Sequence, residues 1–223
     1  MAPLDWVALA AAVTALAVVG RWWVTRVDAI GRHQGFPWLA VGLLVVLAIG
    51  VAVPGFQRRG EEAELSAVAS QLAGRPVKVH CQTLGQAFVD AGSELGWVPW
   101  RADGTPEAWA LIKRDQCRDL NAYLGSDKAA PTPGEVVAVH VLTHEAMHMA
   151  GHIDEAEAEC AAVQRDATTA ADLGASATSA QRLAEQYWTT IYPRMDDGYR
   201  TPDCGAGGPL DEHLDSPPWS AVG

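Results

Sequence analysis

The chain is short of several things, and each shortage narrows what it can do. It has four cysteines in 223 residues, at 81, 117, 160 and 204, and no two of them form a C-x-x-C pair. Neither a redox motif nor a cysteine-based zinc site is therefore indicated. Positive charge is scarce: 16 Lys and Arg stand against 27 Asp and Glu, a net charge of -11. Five Arg and two Asp give residues 1–60 a charge of +3, which leaves -14 for the rest. A phosphate backbone would be repelled by such a surface, so nucleic acid is excluded as a partner. There is no Ser or Cys nucleophile motif, no phosphate-cradling loop, no dinucleotide fingerprint and no internal repeat.

Apolar runs are not scarce, and they are concentrated near the N-terminus. Residues 4–20 are apolar apart from Asp5 and Thr14, and residues 36–53 are apolar throughout. Each approaches the roughly 20 residues that a helix needs to cross a bilayer. Trp6, Trp22, Trp23 and Trp38 stand at the ends, where indole rings favour the headgroup region. The expectation is a transmembrane hairpin over residues 1–60. No basic residue precedes the first run, which argues against a cleaved secretory signal. Arg21, Arg26 and Arg32 lie between the spans and place that loop in the cytoplasm, with both termini outside. Arg58 and Arg59 pull the other way. An even number of widely spaced cysteines suits two disulfides in an oxidising compartment, which favours an extracytoplasmic domain. Four cysteines allow three pairings, and the sequence does not choose among them.

Beyond residue 60 the pattern reads as α+β and mainly helical. A short amphipathic helix is expected over Glu61–Ala73, with Leu65, Val68 and Leu72 on one stripe. Strands are expected at Pro76–Cys81 and Ala108–Ile112, with a helix or irregular turn over Gln86–Leu95 between them. A helix over Arg114–Leu124, a loop over 125–134 and helices over 155–171 and 179–192 complete the domain, 61–192. Several Pro and Gly make residues 193–223 an extended tail held by Cys204.

The chemistry is concentrated in His144-Glu-Ala-Met-His148. Two histidines four apart on a helix share a face and can bind one tetrahedral metal ion. Glu145 would stand beside the open position, where it can take a proton from water. The preceding run from Glu135 is apolar at helical spacing, Pro133-Gly134 supplies a start and Gly151 an end. An acidic cluster, Asp154-Glu-Ala-Glu-Ala-Glu159, follows at once. Asp154 and Glu157 have capping-box spacing, which assigns Asp154 to starting the next helix. Glu155 is then the favoured third ligand, with Asp154 as the alternative. Glu159, one turn on, would accept from the far nitrogen of His144 or His148.

This segment resembles the zincin metallopeptidases over roughly residues 108–160, through its H-E-x-x-H helix (His144, Glu145, His148) and the acidic stretch after it. The gluzincin arrangement is similar to Glu155 with Glu159. The metzincin pattern is met literally by His144, Glu145, His148, Gly151 and Asp154. The resemblance implies a zincin-like domain, one Zn²⁺, peptide-bond hydrolysis with Glu145 as general base, and a peptide or protein substrate. It also implies a sheet-edge strand that an extended peptide joins, for which Ala108–Ile112 is the candidate. Met195 stands where a metzincin places its Met-turn, and Tyr199 or His213 could stabilise an oxyanion. His140 and His152 extend the histidine stripe without being expected to bind the ion. The alternative is a non-catalytic ectodomain of the same fold that binds another envelope protein.

Overall fold

The structure, a computed structural model, describes residues 3–28 and 30–219. It is mostly helical with one small sheet, an α+β arrangement, and the chain divides into two units, 1–60 and 61–223.

The first unit holds α1 (Pro3–Thr25) and the first part of α2 (Trp38–Leu72). Both helices are long and apolar enough to cross a membrane. Leu16, Val24, Leu39 and Leu43 are exposed on them, the kind of apolar surface that soluble faces rarely present. Between the helices the Asp28 carboxylate accepts from the backbone N–H groups of Ile30 and Arg32. Trp22 donates from Nε1 to the Gln34 carbonyl and meets Phe36 edge-on. α2 runs beyond the expected span. It continues through Pro54, whose missing N–H removes one helical bond, and absorbs the short helix expected over Glu61–Ala73.

In the second unit, Leu65 and Val68 of α2 are buried in the core. β1 (Lys78–Cys81), β2 (Gly96–Trp97) and β3 (Trp109–Ile112) form a sheet of order β1-β3-β2. β3 pairs parallel with β1, Cys81 opposite Ile112, and antiparallel with β2, Gly96 opposite Ile112. This corrects one expectation. The strand within Ala108–Ile112 is the centre of the sheet, and the short β2 is the edge beyond it. The reason is legible in β3 itself: Ala110, Leu111 and Ile112 are all buried. A strand covered on both faces reads as a continuous apolar run rather than an alternating one.

α3 (Leu84–Val89) is only six residues and is closed by a Thr83–Gln86 capping box. α4 (Arg114–Gly125) packs Cys117, Leu120 and Tyr123 inward. α5 (Pro133–Ala150) is the central helix and is buried along nearly all its length. Thr132 and Glu135 cap its start reciprocally, Pro133 occupies its first turn, and Gly151 ends it at φ 115°. The helix expected over 155–171 is two helices, α6 (Glu155–Val163) and α7 (Asp166–Asp172). Gln164 and Arg165 interrupt it, and both bind the C-terminal segment: Gln164 donates to the Leu210 carbonyl and Arg165 forks onto Glu212. α8 (Ala177–Gln186) passes into a π-helical turn, Tyr187–Ile191, and a 3₁₀ turn, Tyr192–Arg194.

Two disulfides close the unit. Cys81–Cys117 ties β1 to α4, and Cys160–Cys204 ties α6 to the C-terminal segment. Among its described residues, 195–219, that segment has no regular element, yet it is anchored: Trp219 meets Trp188 edge-on and Cys204 is buried.

Candidate metal centre

α5 and α6 build the site. The sharp turn at Gly151 lets α6 fold back along α5, so the start of one helix faces the last turns of the other. Asp154 accepts from the Glu157 N–H and caps α6. Its carboxylate is committed to that cap, and Glu155, the next residue, faces the histidines.

Three atoms converge there. His144 Nε2 lies 3.0 Å from His148 Nε2, and Glu155 Oε2 lies 3.2 Å from each. The far side of each ring is occupied. His148 Nδ1 stands 2.8 Å from the His152 carbonyl, and His144 Nδ1 stands 3.1 Å from Glu159 Oε2. A carbonyl and a carboxylate only accept, so both Nδ1 atoms carry hydrogen. In the neutral rings the Nε2 lone pairs then face each other and the Glu155 oxygen. Three electron-rich atoms at such distances need a cation or a proton among them. His144, His148 and Glu155 could hold a metal ion. Without one, His144 has two carboxylate neighbours that favour its protonated form. Burial opposes its charge, but Glu155 and Glu159 outweigh that and raise its pKa to about 9. The two imidazoles hold Glu155 far below the ordinary carboxylate range. The Glu155 side chain is half exposed, at 50%, so the cluster opens to solvent on its side.

Glu145 sits next to this cluster on α5 and is buried. Its Oε2 has no hydrogen-bond partner among the described residues. Burial raises its pKa to about 7, with His144 and His148 pulling it down. A carboxylate that changes protonation near neutrality and has an unsatisfied oxygen is suited to passing a proton.

A second layer lies beneath. Glu159 accepts from three groups: His144, His140 Nε2 at 2.9 Å and the Tyr187 hydroxyl at 2.8 Å. His140 Nδ1 meets Asp166 Oδ2 at 2.9 Å. With a carboxylate at each ring nitrogen, His140 is a buried imidazolium. Burial opposes its charge, but Asp166 and Glu159 raise its pKa to about 10. Tyr187 also stacks on the His140 ring, centroids 3.6 Å apart. His140, His144 and Glu159 form a second group with metal-ligand chemistry, but each of the His140 nitrogens already has a carboxylate partner.

The remaining sequence candidates divide by distance. Met195 Sδ lies 3.0 Å from the Tyr187 hydroxyl, and the Tyr199 ring stands 5.9 Å from that of His144. His152 takes part through its backbone carbonyl. His213 is paired with Asp211 at the surface and takes no part in the cluster. Sequence reasoning misses Asp166, Tyr187 and Trp100, whose ring meets His148 edge-on at 5.9 Å. One signal for Asp166 was present. A buried histidine one turn before a ligand needs acceptors, and an acidic residue on the helix after Glu159 is near enough in the chain to supply one. Compared with protein-family models, curated proteins and solved structures, the chain matches none, so the reading of the site stands on its own geometry.

Proposed function

We propose that the protein is a membrane-anchored zinc metallopeptidase that hydrolyses peptide bonds outside the cytoplasm. The observation that carries this is the triangle of His144 Nε2, His148 Nε2 and Glu155 Oε2, with edges of 3.0–3.2 Å. A tetrahedral Zn²⁺ with bonds of about 2.0–2.1 Å sets its ligand atoms about 3.3–3.4 Å apart. The residues fit that ion with little adjustment, and two imidazoles with one carboxylate are a donor set zinc favours. When bound, zinc supplies a Lewis acid and brings the pKa of water to about 7.

The chain's own residues do the rest. Glu145 would take a proton from the attacking water on its unpaired Oε2 as the water oxygen bonds to the peptide carbon, and deliver it to the amine as the C–N bond breaks. Glu159 holds His144 by its Nδ1–H, which keeps Nε2 free to donate its lone pair. The His152 carbonyl does the same for His148. Tyr199 stands close enough to His144 to act on a developing oxyanion. The unpaired side of β2, next to Glu145, is the edge an extended peptide would join.

Two further features support the location. α1 and α2 serve as the membrane spans, and two disulfides belong to an oxidising compartment. Arg21, Arg26 and Arg32 then lie on the cytoplasmic side.

The test is elemental analysis of the full chain purified in detergent, together with hydrolysis of a broad peptide library. One zinc per chain is expected, with turnover. Glu145→Gln should keep the zinc and lose about 10²–10⁴ in kcat. Zinc without turnover in the wild type would leave the site as a binding centre of a non-catalytic ectodomain.

A further inference from the structure

Glu145 must be held in place, and no hydrogen bond to its Oε2 does so among the described residues. What stands against it is Gly96 of the edge strand. A Cβ built on Gly96 would lie 2.6 Å from Glu145 Oε1 and 3.0 Å from both Cδ and Cγ. The first approach is closer than Cβ atoms come to oxygen and the other two are tight, so the side chain must give from Cγ to its tip.

Gly96 is not glycine for the usual conformational reason. Its φ is not positive, and it sits in a regular antiparallel pair with Ile112. Glycine inside a strand weakens it, and where the backbone does not demand it, it marks a close approach by another group. Here the approaching group is the carboxylate side chain. The strand cannot easily retreat. Gly96 is tied to the ladder, and the carbonyl of Leu95 accepts from the Lys113 N–H just beyond. On the other side Glu145 is backed by its own helix, which is buried along nearly all its length.

We infer that Gly96 is the positioning residue for Glu145: the missing side chain forms the slot that holds the carboxylate beside His144 and His148. Its catalytic meaning rests on the metallopeptidase reading, but its steric content does not. A methyl group at position 96 pushes the carboxylate out of line and leaves the three ligand residues untouched. A misplacement of about 1 Å at such a group lowers turnover about a hundredfold.

The experiment is a double-mutant cycle on the full chain in detergent: wild type, Gly96→Ala, Glu145→Ala and the pair. Thermal melting is read for all four, with and without zinc. The Gly→Ala change in chain entropy is common to both backgrounds and cancels in the cycle. Gly96→Ala is expected to lower Tm when Glu145 is present and to leave it unchanged or raised when residue 145 is alanine. Gly85→Ala, where a Cβ meets nothing within 4 Å, is the control and should behave alike in both. On a cleaved peptide, Gly96→Ala should lower kcat about a hundredfold, with KM and zinc content unchanged. An equal Tm change in the two backgrounds overturns the inference, whatever the activity. If the wild type cleaves nothing, the metallopeptidase reading fails while the melting cycle still decides the role of Gly96.

Discussion

α5 carries two histidine–carboxylate clusters that share His144, and they differ in one respect. Around His140 each ring nitrogen faces its own carboxylate, Asp166 or Glu159, and the group is sealed in the core. Around His148 the ring nitrogens face a carbonyl on one side and other electron-rich atoms on the other, and Glu155 reaches solvent. The same residue types at the same four-residue spacing thus give a ring flanked by two carboxylates in one place and a ring flanked by a carbonyl and a cluster of electron-rich atoms in the other. The partners at the two ring nitrogens, more than the spacing, distinguish the two groups.

Substitution of the two histidines tests this contrast most directly. His140→Ala leaves Asp166 and Glu159 buried without their cation, a loss of about 3–5 kcal/mol, to be read by denaturant unfolding of the metal-free chain. His148→Ala removes one of several electron-rich atoms crowded together. It should change that stability far less while lowering zinc affinity by more than about 100-fold, beyond the range of a supporting residue. If both variants lost metal and stability equally, the distinction between the clusters would fail.

A smaller effect is expected at the carboxylate that links His140 to His144. Glu159→Gln keeps the shape beneath His144 but removes the charge, and should weaken zinc binding about 10–100-fold, measured by competition with a chelator.

The remaining effect is in pH. The folded pKa of His140 is raised from 6.5 to about 10. A raised value means that the stability it contributes is full below pH 6.5 and is lost as pH rises through about 10. Melting of the metal-free chain should therefore decline over that window, and His140→Ala should flatten the decline.

Much of the site was readable because it is local. The start of α5 at Thr132–Pro133, its end at Gly151, the cap at Asp154 and the approach of Glu155 to His144 and His148 all lie within a stretch of about 25 residues and follow from capping and turn chemistry. What could not be read depends on contacts far apart in the chain. Tyr187 reaches Glu159 from 28 residues away, and Gly96 of the edge strand meets Glu145 across a still longer stretch of chain. The central place of β3, against the expectation of an edge, is marked in the chain by its unbroken apolar run, Ala110–Ile112, rather than by alternation. The break between α6 and α7 follows from Gln164 and Arg165 binding residues 210 and 212, which helical periodicity does not reveal.

One link described above carries a further implication. Cys160 directly follows Glu159, so the covalent bridge to Cys204 grips the same turn of backbone that supports His144 from below. Oxidation of the two sulfurs and the footing of the His144–Glu159 contact are therefore mechanically joined, and a chain with Cys160 and Cys204 reduced would lack that brace.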